Sequence, residues 1–208
     1  MKILVLTGGT LGGKTTIIKN LKGIFKEKII VVPEVSSLLF ANEFKRPKKW
    51  TLQWHYSLQE AILSRQKKLE DEAKIQAREE DVKLIICDRG MLDPAAYLEG
   101  GLSELIKQFG VNEKQALMRY NQVIHLVSLS VLNPSLYNHF VSTNPYRVET
   151  LSEAQKQEHG TLDAWKNHHN RIIFSNNIKD NMKKVLEIVQ SSLMLGNLKT
   201  YERHKKRV

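Results

Sequence analysis

The sequence predicts an α/β fold of three layers, in which helices cover both faces of a five-stranded parallel sheet. Two observations lead to this prediction. Short apolar segments typical of buried strands alternate with longer helical segments along most of the 208 residues. In addition, the first apolar segment leads directly into a glycine-rich loop and then a helix, which is how a parallel strand-helix-strand unit begins.

The glycine-rich loop lies between the first predicted strand, residues 3–6, and the first predicted helix, residues 15–25. Its pattern over residues 8–15, Gly-x-x-x-x-Gly-Lys-Thr, is that of a P-loop. Glycines let backbone N–H groups approach phosphate oxygens, the lysine reaches the β- and γ-phosphates, and the threonine hydroxyl binds Mg²⁺. The predicted nucleotide-binding residues are Gly8, Gly9, Thr10, Leu11, Gly12, Gly13, Lys14, Thr15 and Thr16.

Glu34 follows the second predicted strand, residues 28–32. Ligands of open parallel sheets bind at the carboxyl ends of the strands. Glu34 is therefore a candidate for accepting a proton from a substrate hydroxyl or for holding metal-bound water. The alternative is a loop carboxylate that caps the next predicted helix, residues 35–43.

Asp88 and Arg89 follow the third predicted strand, residues 83–87, with Asp93 close behind. An acidic residue at the end of a strand beside a P-loop is placed to hold Mg²⁺, directly or through water. The guanidinium of Arg89 offers a bidentate fork that can clamp a phosphate. The alternative is a surface pair that caps a turn.

A long helix is predicted over residues 50–80. Trp54 and His55 lie near its start and are candidates for contacting a flat base or a sugar of the substrate. Packing in the core is the alternative for Trp54, because large aromatic residues are most often buried.

The rest of the chain completes the alternation of helices and strands. Residues 130–145 contain two Asn-Pro steps and no clear period, so we predict an irregular lid over about residues 130–150. Arg147 on this lid is a candidate for stabilising charge on a transferring phosphoryl group, or for pairing with Glu149 or Glu153. The other predicted elements are helices at 102–109, 112–120, 147–168 and 178–194 and strands at 122–129 and 170–176.

Composition limits the class of protein. Hydrophobic residues make up 41% of the chain and charged residues 26%, as in soluble globular proteins. The lone cysteine, Cys87, excludes an intramolecular disulfide and fits a reducing cytoplasm. Because the first strand directly follows Met1, we expect no signal peptide and a cytoplasmic location. We expect one domain, residues 1–195, and a basic tail, residues 196–208.

The net charge of +10 favours anionic partners. Phosphorylated ligands, nucleic acid and anionic lipid all fit this charge, which does not choose among them. Basic residues concentrate at residues 45–49 and 203–207. For the terminal group, a solvated chain end is the alternative to a binding role.

The order of these motifs resembles that of nucleoside and nucleotide kinases, in particular deoxynucleoside and thymidylate kinases. The glutamate after the second strand, the acidic-Arg pair after the third and an arginine on a lid carry this resemblance. It implies a P-loop NTPase fold of the nucleoside/nucleotide kinase type, with Glu34 as base on the substrate hydroxyl. Residues 46–55 are similar to the stretch where those kinases bind the nucleobase, with His55 where they usually have glutamine.

A longer stretch, about residues 3–190, is similar to the AAA-labelled ATP/GTP-binding domain family. That family includes the kinase domain of nicotinamide riboside kinases and a eukaryotic member that binds GTP and phosphatidic acid. The residues that carry this resemblance are Asp88-Arg89-Gly90, Asp93, Tyr97, Tyr120, His125-Leu126, the segment 144–150, Trp165 and His168.

The leading hypothesis is a Mg²⁺-dependent phosphotransferase that moves the γ-phosphoryl group of ATP, or of GTP, to a hydroxyl of a small nucleoside-like metabolite. The alternative is a nucleotide-binding switch or lipid-associated module that hydrolyses slowly and has no small-molecule acceptor. Under the leading hypothesis the catalytic residues are Lys14, Glu34, Asp88, Arg89 and Arg147, the metal ligands are Thr15 and Asp88, and the substrate-binding residues are Glu34, Trp54, His55 and Arg89.

Overall fold

The computed structural model describes residues 1–45, 47–143 and 149–205, with side chains described as far as Met194. In this part of the chain five strands form one parallel sheet with the order β2-β3-β1-β4-β5. The predicted α/β class and five-stranded parallel sheet are confirmed. The strands are β1 (Lys2–Thr7), β2 (Ile29–Val32), β3 (Leu84–Asp88), β4 (Gln122–Leu126) and β5 (Arg171–Phe174).

Helices cover both faces of the sheet. Short 3-10 helices, Lys26–Lys28 and Asp93–Tyr97, precede β2 and follow β3. The α-helices are α1 (Lys14–Phe25), α2 (Val35–Asn42), α3 (Leu52–Glu79), α4 (Gly101–Phe109), α5 (Glu113–Met118), α6 (Leu129–Leu132), α7 (Pro134–Ser142), α8 (Leu151–Ala164) and α9 (Ile178–Lys205).

The core has two main parts, one on each face of the sheet. Alternate residues of a strand point to opposite faces, so Val5 of β1 packs in one part and Leu6 in the other. The first part includes side chains of α3, α4 and α8, and the second includes side chains of α1 and α9. Burial on both faces explains why the strands are continuous apolar runs.

The central strand β1 pairs with β3 on one side and β4 on the other. Leu6 lies opposite Asp88, and Thr7 lies opposite His125. These parallel strands end at the same edge of the sheet. The register therefore brings the end of β1, where the glycine-rich loop begins, next to Asp88 and His125.

The prediction that residues 130–145 are irregular is wrong for those of them that the structure describes. Two short helices, α6 and α7, lie there instead. Both have side-chain caps: Ser128 accepts from the Ser130 N–H, and Asn133 accepts from the Leu136 N–H. The Asn-Pro step thus begins a helix with a cap and a proline in its first turn, rather than a loop. Arg147 lies outside the described residues.

Some helix ends in the structure also differ from the predicted ones. The eighth helix begins at Leu151 rather than near residue 147, because Thr150 and Glu153 form a capping box. The last helix continues past residue 194 to Lys205. Among the described residues, none of the helices combines the length and the apolar character that crossing a membrane requires.

Candidate functional site

The glycine-rich loop joins β1 to the first turn of α1. Gly8 and Gly13 have φ angles of 119° and 90°, which residues other than glycine rarely adopt. A Cβ on Gly8 would lie 2.0 Å from the Leu126 carbonyl oxygen, so the loop packs directly on the end of β4. Thr15 and Thr16 are exposed in the first turn of α1. The first N–H groups of a helix have no partner within the helix, so this turn can bind an anion.

Lys14 is buried beneath the loop and is held by its backbone. The ammonium donates to the carbonyl oxygens of Gly8 at 2.7 Å and Gly9 at 2.8 Å. Burial and the charge of Arg89 lower the pKa of Lys14 to about 8, and the nearby carboxylates only partly oppose this. A phosphate bound beside Lys14 would stabilise its charged form.

Asp88 ends β3 and is only 8% exposed. Burial, followed by the charge of Glu34, raises the pKa of Asp88 to about 6, although the charges of Lys14 and Arg89 oppose the rise. Its Oδ1 atom is fully buried and has no hydrogen-bond partner among the described residues. A buried carboxylate oxygen of this kind needs a partner, and a cation supplies one.

Magnesium fits these donors. Mg²⁺ is usually bound through one or two protein oxygens, with water and substrate phosphates as the other ligands. Asp88 and the exposed hydroxyl of Thr15 are such donors. Within the described ranges no group of three or more His, Cys, Asp or Glu side chains could hold a metal ion, so the site does not resemble an all-protein cage.

Arg89 connects the ends of β2 and β3 with the glycine-rich loop. Its Nε donates to Glu34 Oε1 at 2.7 Å, and one terminal nitrogen lies 3.2 Å from the Gly8 carbonyl oxygen and 3.3 Å from Asp93 Oδ1. Its backbone has a left-handed φ of 70°, and its side chain is 13% exposed. Burial favours a lower pKa for Arg89, but Tyr97, Glu34 and Asp93 outweigh it and raise this pKa well above its ordinary value.

Glu34 is ionised in this site. Burial favours a higher pKa for its carboxyl group, but the charge and hydrogen bond of Arg89 and a bond from Ser37 lower the pKa to about 2. The Ser37 hydroxyl donates to Glu34 Oε2 at 2.6 Å. The Glu34 side chain makes no capping hydrogen bond to the backbone of α2, although the residue occupies the N-cap position.

Asp93 holds several parts of the site together through hydrogen bonds, a role that sequence analysis did not assign to it. The side chain is 2% exposed. Its Oδ1 accepts from the Thr7 hydroxyl at 2.5 Å, and its Oδ2 accepts from the Gly90 N–H at 2.9 Å and the Trp165 indole at 3.1 Å. Asp93 therefore ties Arg89 and its turn to β1 and to the end of α8. Its position four residues after Arg89 was the available sequence signal.

Glu158 is a second buried carboxylate that sequence analysis missed. Its Oε2 accepts from the Gly9 N–H at 2.6 Å, and its Oε1 lies 2.6 Å from His125 Nε2. Both side chains are 0% exposed. Glu158 belongs to a helix with many polar residues, so nothing in its local sequence distinguishes it from a solvated surface residue.

Trp54 and His55 lie at the start of α3. Trp54 packs against Phe40 and Phe44, with ring centroids 6.4 and 6.5 Å away, which agrees with the packing alternative. His55 Nε2 lies 2.9 Å from the carbonyl oxygen of Tyr97, in the 3-10 helix after β3. Substrate binding by Trp54 and His55 stays a prediction.

The fold has a parallel sheet and a P-loop between its central strand and first helix. The site has a buried lysine and an aspartate whose Oδ1 atom has no hydrogen-bond partner among the described residues. Together they define a P-loop nucleotide-binding protein. The chain belongs to the AAA domain family, whose family model matches residues 3–180. This membership supports binding of a nucleotide with Mg²⁺ and an NTPase or kinase-type activity in general. No curated protein matches the chain.

Proposed function

We propose that the protein is a Mg²⁺-dependent kinase that transfers the γ-phosphoryl group of ATP to a hydroxyl of a small nucleoside-like metabolite. The observation that carries this proposal is the Glu34–Arg89 pair, 2.7 Å between Oε1 and Nε, in contact with the P-loop through Gly8. Nucleotide binding alone does not require an ionised carboxylate at this position. A hydroxyl acceptor does, because it must be oriented toward the phosphorus.

The P-loop holds the nucleotide in this proposal. Lys14 and the N–H groups of the first turn of α1 contact the phosphates, and Thr15 with Asp88 holds Mg²⁺. Magnesium supplies charge neutralisation on the phosphate oxygens. The Lys14 ammonium already lies against the loop carbonyls, so little rearrangement of this side chain is needed.

Glu34 orients the acceptor. With a pKa of about 2, its carboxylate is ionised at neutral pH and accepts a hydrogen bond from the acceptor hydroxyl. The acceptor oxygen forms a bond to the γ-phosphorus while the bond from that phosphorus to the leaving ADP oxygen breaks. The hydroxyl proton passes through Glu34 to solvent, since so weak a base does not retain it.

Arg89 and Arg147 stabilise charge on the transferring group in this proposal. Arg89 is buried, charged and fixed by three acceptors, and such preorganised donors cost little reorganisation during the reaction. Arg147, which lies outside the described residues, is proposed as a second donor. The closer kinship with nicotinamide riboside kinases, the choice between ATP and GTP, and contacts of Trp54 and His55 with the acceptor also remain proposals.

The test is Glu34→Gln in an assay against a panel of nucleosides and related alcohols. The variant should bind Mg-ATP as the wild type does and lose acceptor phosphorylation, measured by mass spectrometry of the acceptor. Ser37→Ala is the matched control, because it removes one bond to Glu34 but leaves the carboxylate. Slow ATP hydrolysis by the wild type with no phosphorylated acceptor would contradict the proposal, and unchanged transfer by the variant would remove Glu34 from it.

A switch or lipid-associated module is the second candidate. The net charge of +10 favours it, together with four large apolar side chains on α6 and α7 that are 39% to 44% exposed. These are Val131, Leu132, Leu136 and Phe140. Flotation with phosphatidic acid vesicles and with neutral vesicles separates the two functions. The lipid-associated module should bind the phosphatidic acid vesicles, whereas the kinase does not need to bind either kind of vesicle.

A further inference from the structure

The buried carboxylate of Glu158 lies behind the P-loop and has no part in the chemistry proposed above. It accepts a hydrogen bond from the backbone N–H group of Gly9 and is paired with His125. Burial favours a higher pKa for Glu158, but its hydrogen bonds with His125 and Gly9 outweigh it and lower the pKa. Glu158 is therefore an ionised group that joins the loop to β4.

The surroundings of His125 indicate which of its ring nitrogens carries the proton. Its Nδ1 atom is buried and has no hydrogen-bond partner among the described residues. A proton on Nδ1 would be buried without an acceptor, which is costly, so the neutral ring with its proton on Nε2 fits this site. His125 thus donates its Nε2–H to Glu158 and fixes the carboxylate from the side of the sheet.

Gly9 is held from both sides. Its N–H donates to Glu158, and its carbonyl oxygen accepts from Lys14 Nζ at 2.8 Å. A Cβ at this position would lie 2.7 Å from Glu158 Oε2, so the carboxylate lies directly against the loop backbone. The next carbonyl oxygen, that of Thr10, accepts from the Ser128 hydroxyl at 2.5 Å. The Gly9 N–H belongs to the Gly8–Gly9 peptide, whose carbonyl oxygen, that of Gly8, also accepts from Lys14 Nζ at 2.7 Å. The orientation of this peptide therefore determines where the Lys14 ammonium is held.

We propose that Glu158 is a positioning residue for the P-loop. It fixes the Gly8–Gly9 peptide so that the loop and Lys14 are arranged for the nucleotide phosphates before binding, and His125 keeps the carboxylate in place. Neither side chain touches the nucleotide. This inference rests on nucleotide binding by the P-loop and is independent of the proposed acceptor.

The first experiment measures the Kd for Mg-ATP and the Tm of Glu158→Gln. Glutamine has one carbonyl oxygen where glutamate has two acceptors. If that oxygen accepts from Gly9, the NH₂ group faces His125 Nε2 and can bond to it only when the ring proton moves to Nδ1, where it has no acceptor among the described residues. The Kd should rise roughly 10- to 100-fold, the effect of losing a charge-assisted hydrogen bond that orders the loop. We expect the carboxylate to shift the Gly9 amide proton downfield in the wild type, and this proton should move upfield in the variant's NMR spectrum.

The matched control is Glu70→Gln. Glu70 is also 0% exposed and accepts three hydrogen bonds, from Gln66, Arg119 and Tyr120, but it does not touch the P-loop. Its substitution should lower the Tm while leaving the Kd at the wild-type value. An equal rise in Kd for both variants would overturn the proposal, because burial of a carboxylate would then explain the effect.

Substitution of His125 gives an independent test in case Glu158→Gln does not fold. His125→Gln retains an N–H donor and should keep the wild-type Kd, whereas His125→Leu should raise the Kd as Glu158→Gln does. A lowered Tm with unchanged Kd in Glu158→Gln or His125→Leu would overturn the proposal. A wild type that binds Mg-ATP but phosphorylates no acceptor ends the proposed function and leaves this inference standing.

Discussion

Arg89 Nε donates to Glu34 Oε1 at 2.7 Å, across 55 positions of sequence. The two residues follow neighbouring strands, β3 and β2, and meet because parallel strands end at the same edge of the sheet. The same guanidinium also contacts the Gly8 carbonyl oxygen. The ends of β2 and β3 are thus fixed relative to the P-loop, and this arrangement allows the site to be tested one residue at a time.

Removing the P-loop lysine should weaken nucleotide binding. Lys14→Ala should lose one or two charge-assisted bonds to phosphate, worth roughly 1.5 to 3 kcal/mol each, or about 10- to 150-fold in Kd per bond. Isothermal titration calorimetry with Mg-ATP measures the change. Lys19→Ala, which removes an exposed lysine of the same helix, is the control and should bind as the wild type. Equal affinities of all three proteins would place the nucleotide elsewhere.

Affinity for Mg-ATP should be highest between about pH 6 and pH 8, the pKa values of Asp88 and Lys14. Below this window Asp88 is protonated and cannot bind Mg²⁺, and above it Lys14 loses the charge that attracts phosphate. Lys14→Arg should abolish the alkaline decline, because arginine stays charged. Kd values from pH 5 to 9 in Mg²⁺ and in EDTA test this, and an alkaline decline that persists in Lys14→Arg would contradict it.

Asp88 should reduce the free energy of unfolding at neutral pH in the absence of ligands. Its folded-state pKa of about 6 lies above the ordinary 3.8, so the folded state binds the proton more tightly. Stability is therefore lost as pH rises from about 4 to 6. Asp88→Asn should gain up to about 3 kcal/mol at pH 7 and lose this pH dependence. Urea unfolding at pH 4 and pH 7 measures the difference, and a variant that is less stable at pH 7 would contradict the burial argument.

Asp93 should matter for stability and for turnover. Asp93→Asn replaces one carboxylate oxygen with an NH₂ group, which cannot accept the hydrogen bonds from Gly90 and Trp165. The substitution also removes the negative charge beside Arg89. We expect a loss of about 1 to 3 kcal/mol in the free energy of unfolding and reduced turnover. Trp165→Phe removes one donor and retains an aromatic ring in the core and the charge of Asp93, so its turnover should fall less. Equal turnover in wild type and Asp93→Asn would exclude a role in placing Arg89.

Glycines of the chain should respond in opposite ways to alanine. Gly8→Ala introduces a Cβ 2.0 Å from the Leu126 carbonyl oxygen at a φ of 119°, which should distort the loop at a cost of about 1 to 3 kcal/mol and weaken Mg-ATP binding. Gly23 in α1 has nothing within 4 Å of its added Cβ, so Gly23→Ala should stabilise the protein by about 0.5 to 1 kcal/mol. Thermal unfolding and calorimetry of both variants test the contrast, which equal effects would refute.

Local sequence patterns were enough to predict the strands, the P-loop and part of the candidate site. Apolar runs predicted each strand, because β1 and β3 are buried on both faces and cannot carry polar residues in their centres. The P-loop was predictable because its function requires consecutive residues between a strand and a helix. The adjacency of Glu34, Asp88 and the loop followed from the rule that parallel strands end at one edge.

Other features depended on contacts that local sequence does not encode. The helices α6 and α7 were missed because each is short and depends on a single capping side chain. Trp54 had two plausible roles in the sequence, and its packing against Phe40 and Phe44, which are 14 and 10 positions earlier in the chain, became visible only in the tertiary structure.

By itself the sequence determined the fold class, the phosphate-binding loop and the polar residues that end the strands, since each is specified by neighbours along the chain. Only the tertiary structure decided which buried carboxylates hold the site together. Asp93 meets Thr7 across 86 positions and Glu158 meets Gly9 across 149. Such pairs form only when sheet and helices pack, because the cost of burying each carboxylate is offset by donors from distant parts of the chain.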